Sequence, residues 1–399
     1  MRSLAFAEED SQAAEPEEST LPTANRHAGP RAHCGRVNGR APRIGLVGRL
    51  SRFGLGHQNL DIAIHLGIDR WLIFGHRDID LQGRRLPCRV DQALRPLGSH
   101  ELEAWMDGLD ALLFVESPIF PELTGVAKSL GVCVVCVPNW EWLHPGLDWL
   151  DEVDLMLCPT RHTARLLDDW KQRFRFGWKT DVVAWPVDTG RHQFRRRYAC
   201  RRFLFVNGSG GVQATTHLGE PAVLHRKGLD LLLAAAREIP GIPIIVYAAD
   251  EAWTPASRNV EFRPLTDDNR QLYRDGDVCV QPSHWEGLGL PLLECQAAGM
   301  PLITTDLPPM NEHNPYAVVP ATEIAADLSS ELCVPAARID PDDLARVLRE
   351  AHGRNLFFAS GRARRFVLRE HSWQVARPRL LNSLTSLFAE GASICSSAR

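Results

Sequence analysis

Residues 277–294 read Asp277-Val-Cys-Val-Gln-Pro-Ser-His-Trp-Glu-Gly-Leu-Gly-Leu-Pro-Leu-Leu-Glu294, an apolar run followed by a glycine-rich turn and then a helix start. Gly287 and Gly289 allow the backbone to turn tightly and to approach a ligand closely. Pro291 suits the first turn of a helix, where its missing N–H is not needed. This order of strand, turn and helix is the repeating unit of a parallel α/β fold.

The same stretch places two carboxylates beside the start of the predicted helix. Glu286 lies in the turn, and Glu294 lies one turn into the helix. The free N–H groups and the positive end of the helix dipole favour a bound phosphate. A carboxylate has two acceptor oxygens, so it can hold two neighbouring hydroxyls of a ribose or a hexose. These features predict a site for a ligand that is both anionic and polyhydroxylated.

Short apolar segments alternate with helical stretches along the rest of the chain. In the first half they are residues 43–47, 71–74, 111–115, 132–137, 155–158 and 182–184, and in the second half residues 202–206, 244–247, 278–280 and 301–304. Strands that are apolar throughout and alternate with helices indicate parallel sheets with helices on both faces. We therefore predict an α/β protein of two doubly wound Rossmann-like domains. Ligands are expected in a central cleft beyond the carboxyl ends of the strands.

Composition and charge exclude several classes of protein. The chain has 399 residues, of which 44% are apolar and 24% charged, as in an ordinary globular protein. Residues 1–20 hold six acids and one base, which leaves 44 bases against 43 acids in the remainder. This balance gives no sign of nucleic-acid binding. The chain lacks an apolar run of about 18 residues and a secretory signal at its start, so we expect a cytoplasmic protein without a transmembrane helix.

Motifs in the second half resemble the donor-binding domain of the family 4 retaining glycosyltransferases, which have the two-Rossmann GT-B fold. The matching residues are the stretch 277–294, Ala297-Ala-Gly-Met-Pro301, Thr304-Thr-Asp306 and the helix start His225-Arg-Lys-Gly228. Trp185-Pro-Val-Asp188 is a weaker match to the junction between the two domains of that family. The resemblance covers about residues 43–390 in layout, and its specific motifs lie between residues 185 and 312.

The resemblance implies an order of domains. Residues 43–186 would form the N-terminal domain on the acceptor side, and residues 187–370 the domain that binds the nucleotide-sugar donor. Residues 371–390 would form a helix that crosses back to the first domain. Residues 1–42 are rich in Ala, Glu, Pro, Ser, Arg and Gly without periodicity, which predicts a disordered tail.

The resemblance also assigns roles to particular residues. Lys227 would contact the donor diphosphate, Glu294 would hold the ribose hydroxyls, and Glu286 would bond the transferred sugar. Arg226 adds a second cation that can help to neutralise the diphosphate and stabilise the departing charge. Backbone N–H groups for the sugar or the phosphate would come from Gly287, Leu288 and Gly289. The implied reaction retains the anomeric configuration and needs neither a divalent metal nor a cofactor, since the nucleotide sugar is a co-substrate.

Two departures from the family pattern leave alternatives open. Where the family commonly has a Gly-Arg pair, this chain has Asn207-Gly-Ser-Gly-Gly211. Either the amides of that loop, at Gly208 and Gly210, cradle the phosphates, or Arg226 supplies the second charge.

The first domain departs from the family as well. Where a histidine often lies near the transferred sugar, the chain has Val137-Pro-Asn-Trp-Glu-Trp-Leu-His144, so Asn139, Glu141 or His144 could serve there. Gly54 and Gly56 follow the first strand and are candidates to border the cleft.

Other readings stay open from the sequence alone. A catalytically inactive protein of the same fold could still bind a nucleotide sugar. A nucleotide-dependent oxidoreductase would need a complete Gly-x-Gly-x-x-Gly motif after the first strand, which is missing here. The acceptor could be a glycan, a lipid-linked sugar or a protein. The aromatic and basic run of residues 170–179 could rest on an anionic membrane, which would place the protein peripherally at the inner membrane face.

Overall fold

The first half of the chain forms a seven-stranded, wholly parallel sheet with the strand order β3-β2-β1-β4-β5-β6-β7. The computed structural model describes residues 40–51, 53–77, 85–208, 213–216, 222–248, 257–266, 268–327 and 333–394. The strands are β1 (Ile44–Gly48), β2 (Arg70–Phe74), β3 (Arg89–Ala93), β4 (Ala111–Val115), β5 (Cys133–Val137), β6 (Leu155–Cys158) and β7 (Lys179–Val182). The helices are α1 (Gly54–His65), α2 (Ser99–Met106), α3 (Leu123–Ser129) and α4 (Arg161–Phe174).

The second half contains a six-stranded parallel sheet and a smaller antiparallel one. Its strands are β8 (Phe203–Gly208), β9 (Gln213–Thr216), β10 (Ala222–His225), β11 (Ile244–Ala248), β12 (Val260–Pro264), β13 (Val278–Gln281), β14 (Leu302–Thr305), β15 (Ala317–Val319), β16 (Ala321–Asp327) and β17 (Cys333–Ile339). The parallel sheet has the order β12-β11-β8-β13-β14-β15, and the antiparallel sheet has the order β10-β9-β16-β17. The helices are α5 (Leu229–Glu238), α6 (Leu290–Ala297), α7 (Pro341–Ala351), α8 (Phe357–Glu370) and α9 (Trp373–Ile394).

The two parallel sheets confirm the predicted α/β architecture. Their central strands are fully buried, because helices cover both faces and the apolar side chains enter the core on each side. Cys133 and Cys136 illustrate this arrangement, since both are wholly buried in β5 but belong to core clusters on opposite faces of the sheet. The apolar run at residues 182–184 predicted the seventh strand too far toward the C-terminus, because β7 spans Lys179–Val182.

The antiparallel sheet was not predicted. Each of its strands mixes polar and apolar residues over a short span, so the strands lack the continuous apolar pattern of the parallel sheets. One face of this sheet packs on two tryptophans from different parts of the chain. Trp140 follows β5 and Trp285 follows β13, and both are buried with Ile324 and Ala336. This small sheet therefore covers the turn that carries Glu286.

The last helix packs on the first sheet. Trp373 and Leu380 of α9 share a core cluster with Leu46 of β1 and Leu113 of β4. In the described part of the chain, no helix is both long and apolar enough to span a bilayer. Phe176 and Trp178 of the aromatic and basic run are buried in the core, which leaves them no part in a membrane contact. The predicted tail, residues 1–42, lies almost wholly outside the described residues, and the predicted domain limits stay predictions.

Candidate active site

A cavity of about 330 Å³ lies between the carboxyl ends of the two parallel sheets and receives side chains from both halves of the chain. Ten of the residues singled out from the sequence line it: Gly54, Asn139, Glu141, Gly208, Arg226, Lys227, Glu286, Leu288, Gly289 and Glu294. Gly210 lies outside the described residues. Clefts at this position are where doubly wound sheets bind their ligands.

Gly56, Gly287 and His144 do not line the cavity. Gly56 is buried in α1, where a Cβ atom would lie 2.0 Å from the main-chain oxygen of Ser51. A Cβ atom on Gly287 would lie 1.9 Å from Oε2 of Glu141. Both glycines are thus needed for close packing of the chain.

Glu286 is the centre of a buried ion cluster at one wall of the cavity. Its carboxylate is 2.6 Å from Nζ of Lys227 and 3.1 Å from NH1 of Arg226, and the hydroxyl of Ser283 donates to it at 2.8 Å. The side chain of Glu286 is only 1% exposed. The cluster brings together the end of β10 and the turn before α6, two parts of the chain about 60 residues apart.

A glycine sets the position of the two cations. Gly228 has φ of 72°, and a Cβ atom there would lie 2.2 Å from the main-chain oxygen of Pro282. Only glycine combines this left-handed backbone with such a close approach. Because the backbone turns here, α5 starts at Leu229, and Arg226 and Lys227, which line the cavity, lie just before it.

The cluster keeps Glu286 ionised despite its burial. Burial acts to raise the pKa of Glu286, but Lys227 and Arg226 outweigh it and hold the pKa below its usual range. Burial also lowers the pKa of Lys227, and the Glu286 carboxylate opposes that effect. The Arg226 guanidinium is the more accessible of the two cations, with 18% of its side chain exposed. It is therefore the cation best placed to turn toward a bound anion.

Residues after β5, in the first half of the chain, contact this cluster directly. The indole N–H of Trp140 donates to the main-chain oxygen of Glu286 at 2.9 Å. Oε1 of Glu141 lies 3.4 Å from NH1 of Arg226. Burial raises the pKa of Glu141, while Arg226 acts to lower it. Trp142 also lines the cavity and is 43% exposed, so its ring is available to a ligand, whereas Trp140 serves packing between the two halves.

Glu294 lines the cavity from the first turns of α6. The hydroxyl of Tyr273 donates to its Oε2 at 2.8 Å, and Nε2 of His192 lies 3.6 Å from its Oε1. Burial raises the pKa of Glu294 to about 7 and lowers the pKa of His192 to about 3. The histidine is therefore neutral near pH 7, and its contact with Glu294 is not an ion pair. Neither Tyr273 nor His192 was predicted, because no motif marks them.

Glu116 was also missed by sequence reasoning. It follows β4, lines the cavity and has φ of 68°, a left-handed conformation that is rare outside glycine. The side-chain amide of Asn139 donates to its Oε1 at 2.7 Å. Burial raises the pKa of Glu116 to about 7. Its neighbour Asn139, a sequence candidate, therefore acts on the cavity at least partly through Glu116.

A second group of acidic and imidazole side chains lies beside the cavity. Oxygen or nitrogen atoms of Asp61, His65 and Asp188 come within 4.8 Å of one another. Arg191 forms an ion pair with Asp61, and Nε2 of His65 lies 3.5 Å from Asp188. Both carboxylates thus contact other protein side chains, and the group connects α1 to the segment between β7 and β8.

Comparisons with known proteins agree with the fold. Residues 216–334 match the family model described as Glycosyl transferases group 1. The D-inositol 3-phosphate glycosyltransferase of Segniliparus rotundus is 31% identical over 144 residues, which are 31% of this chain and 31% of that protein. The alignment thus spans about a third of the length of that relative. The family match includes Arg226, Lys227, Glu286 and Glu294.

Solved structures extend the likeness to both halves of the chain. The Anabaena protein HepE, in complex with UDP and glucose, has a TM-score of 0.60 at 13% identity and covers 86% of this chain and 100% of its own. The sucrose-phosphate synthase of Thermosynechococcus elongatus has a TM-score of 0.55 at 13% identity, covering 88% of this chain and 100% of its own. The chain has the GT-B fold, which confirms the fold prediction.

Proposed function

We propose that the protein is a glycosyltransferase that moves a sugar from a nucleotide-diphosphate donor to an acceptor hydroxyl. The observation that carries this proposal is the buried cluster of Glu286, Lys227 and Arg226 at the start of α5, within a cleft formed by both halves of a GT-B fold. The match of residues 216–334 to a glycosyltransferase family and the UDP and glucose bound by HepE support it.

The donor would bind with its diphosphate at the start of α5. In the described structure the two cations are balanced by carboxylates, so the free protein does not hold uncompensated buried charge. A diphosphate would draw Arg226 away from Glu141 and Glu286. Its oxygens would accept hydrogen bonds from the N–H groups at the N-terminus of α5. Glu294, across the cavity, would then accept bonds from ribose hydroxyls.

The transfer step would retain the configuration of the sugar. The bond between C1 and the phosphate oxygen breaks, the bond between C1 and the acceptor oxygen forms on the same face, and the acceptor proton passes to the departing phosphate. Lys227 and Arg226 would stabilise the charge that builds on that phosphate, so the step needs no divalent metal. Glu286 would orient the sugar, and exclusion of water by the closed cleft would limit donor hydrolysis.

A screen of donors tests the activity. Wild-type protein is incubated with UDP-, GDP- and ADP-sugars, and release of nucleoside diphosphate is measured with and without a pool of sugar acceptors. We expect turnover with one class of donor and a rise when acceptors are added. Binding of a donor without any turnover would instead identify an inactive sugar-nucleotide binding protein, and tight binding of NAD without nucleoside diphosphate binding would contradict the proposal.

Two substitutions test the assignment of roles. Glu294→Ala should weaken nucleotide binding by roughly 10- to 100-fold, because bonds from ribose hydroxyls to a carboxylate are lost. Glu286→Ala should lower turnover more than nucleotide affinity, because it faces the transferred sugar. Calorimetry with the nucleoside diphosphate and turnover with its sugar separate the two effects. If both substitutions had equally small effects on nucleotide affinity and on turnover, the proposed roles of Glu286 and Glu294 would be refuted. The donor screen would still decide whether the protein is a glycosyltransferase.

A further inference from the structure

The carboxylate of Glu294 contacts two buried side chains, Tyr273 and His192, that do not themselves line the cavity. The Tyr273 hydroxyl donates to Oε2 at 2.8 Å, and Nε2 of His192 lies 3.6 Å from Oε1. The two rings meet edge to face, with 5.7 Å between their centroids. Tyr273 lies in the turn before β13, and His192 lies between β7 and β8. Two separate parts of the chain thus fix the orientation of one carboxylate at the cavity wall.

Tyr273 is held in place by a buried guanidinium. Arg197 donates to the main-chain oxygen of Tyr273 at 2.7 Å and to that of Gly276 at 3.1 Å. Burial lowers the pKa of Arg197 to about 10, so the group is still charged at neutral pH. A buried, hydrogen-bonded charge is costly to move, because its donors would be left unsatisfied. The Tyr273 hydroxyl therefore has a fixed position, as in preorganised sites, where the residue that supports a binding side chain is itself held rigidly.

A carboxylate fixed in this way can distinguish a ribose from a 2′-deoxyribose. Each carboxylate oxygen can accept more than one hydrogen bond, so Oε2 of Glu294 can accept from Tyr273 and from a ligand hydroxyl together. Oε1 can then accept from the neighbouring hydroxyl of the ligand. A deoxyribose has one hydroxyl fewer, which would leave one oxygen of a buried carboxylate without its donor from the ligand. If the carboxylate were free to turn, it could share a single hydroxyl between both oxygens, and the distinction would weaken.

We propose that Tyr273, supported by His192, positions Glu294 to accept both hydroxyls of a ribose, so that the donor is a ribonucleotide sugar and not a 2′-deoxyribonucleotide sugar. This inference rests on the proposed transferase function and names the class of donor within it. Tyr273 is a positioning residue, because it is absent from the cavity wall and acts on the ligand through Glu294.

Calorimetry with paired nucleotides measures this selection. Wild type is titrated with UDP, GDP and ADP and with the 2′-deoxy counterpart of each. For the base that the protein accepts, we expect the ribonucleotide to bind about 10- to 100-fold more tightly than its deoxy counterpart, because the latter lacks one hydrogen bond to a carboxylate. Glu294→Ala should bind both members of the pair with similar affinity, since the acceptor of both hydroxyls has been removed.

Two tyrosine variants separate positioning from packing. Tyr273→Phe removes only the hydroxyl, and it should weaken binding of the ribonucleotide by roughly 3- to 10-fold while the deoxy counterpart binds as it does to wild type. The ratio of the two affinities then falls by the same factor. Tyr247→Phe is the matched control, because Tyr247 is also buried but its hydroxyl contacts Arg263 and lies outside the cavity lining. It should keep the wild-type ratio, since a general loss of stability affects both nucleotides alike.

The pH dependence of the same ratio is a readout that packing alone does not change. Burial raises the pKa of Glu294 to about 7, and the Tyr273 hydroxyl opposes this effect. Since the ionised carboxylate is the better acceptor, the wild-type ratio should fall as the pH is lowered from 8 to 6. In Tyr273→Phe the opposing bond is lost, so the fall should be centred at a higher pH. The diphosphate also titrates in this range, but it does so in both members of a pair and cancels in the ratio. The other titratable groups that contact this carboxyl or act on it are unchanged in the variant, namely Arg191, His192, Lys227 and Asp61.

The possible results each decide the inference. Equal affinity of wild type for a ribonucleotide and its deoxy counterpart would overturn it while leaving the proposed function standing. An unchanged ratio in Tyr273→Phe, or a fall at the same pH as in wild type, would overturn the positioning role. An equal loss of selectivity in Tyr247→Phe would overturn it as well. Failure of wild type to bind any of the nucleotides would refute the proposed function itself, and the inference with it.

Discussion

The pKa of a buried carboxylate in this protein depends on the groups around it and not on its residue type. Glu286 and Glu294 are eight positions apart and both buried, yet the pKa of Glu286 is lowered and that of Glu294 is raised. Burial favours the neutral acid in both cases, but Glu286 has two cations in direct contact, which lower its pKa. The cavity is thus lined by one carboxylate whose pKa is lowered and by one carboxyl whose pKa is raised to about 7.

The raised pKa of Glu294 predicts a gain in stability for Glu294→Gln. Since the folded pKa of about 7 exceeds the usual value of 4.5, ionising this group opposes folding as the pH rises between those values. Above pH 7 the neutral glutamine should therefore raise the free energy of unfolding by up to about 3 kcal/mol, and near pH 5 by little. Tyr273 can still donate to the amide oxygen.

Chemical denaturation of both proteins at pH 5 and pH 8 measures this difference. Glu323→Gln, at an exposed position of β16, is the control and should leave stability unchanged at both values. A lower stability of Glu294→Gln at pH 8 would contradict the prediction. Under the proposed role of Glu294, nucleotide affinity should nevertheless fall, because the charged acceptor has been removed.

At the level of elements, two helices begin close to residues that line the cleft, and a third helix start joins the two halves of the chain. α5 and α6 each begin after a glycine in the left-handed conformation, Gly228 and Gly289. A third helix start is used for contact between the two halves. The Glu312 carboxylate accepts the main-chain N–H groups of Arg161 and His162 at the start of α4, each at 2.9 Å.

Removal of the Glu312 carboxylate should weaken the contact between the two halves. Glu312→Ala leaves two N–H groups without their acceptor and removes an anion from the positive end of α4, which should cost about 1–2 kcal/mol. Glu312→Gln keeps one acceptor oxygen without the charge and should lose roughly half as much. Thermal denaturation of the three proteins provides the comparison. Equal stability of Glu312→Ala and wild type would show that this contact is not maintained in solution.

At the level of the whole molecule, one core joins both halves of the chain. The cluster that contains Leu46 of β1 and Trp373 of α9 also contains Leu293 of α6. Trp373 is 4% exposed and stacks on His65 with 5.1 Å between ring centroids. The core of the first sheet is therefore completed by residues from the end of the chain.

Trp373→Ala should destabilise the entire molecule. Loss of a buried tryptophan typically costs about 3–5 kcal/mol, because the surrounding side chains only partly fill the space. Since the affected core is shared, calorimetry should show one unfolding transition that moves to lower temperature as a whole. Phe358→Ala, at an 82% exposed position of α8, is the control and should leave the transition in place. Two transitions of which only one moves would contradict a shared core.

The parts of the fold that could be predicted are those with a dense local signal. The central strands are continuous apolar runs, and the glycine turn with Glu286 and Glu294 lies within a single stretch of 18 residues. The antiparallel sheet has weak alternation and joins strands about 100 residues apart, so its pairing depends on tertiary contacts. Glu116 is an ordinary acid in the sequence, and its importance arises from its backbone conformation and from a partner 23 residues later.

The bond from the Trp140 indole to the Glu286 carbonyl has a consequence for engineering by domain exchange. A chimaera that takes its first domain from another protein of the same fold would inherit whatever residue that protein has at this position. Without an indole there, the glycine turn would lose its support from the opposite domain, and a ligand bound at this wall of the cavity would be misaligned even though every residue of the second domain is native. Grafts between members of this fold should therefore keep the segment around Trp140 together with the turn around Glu286.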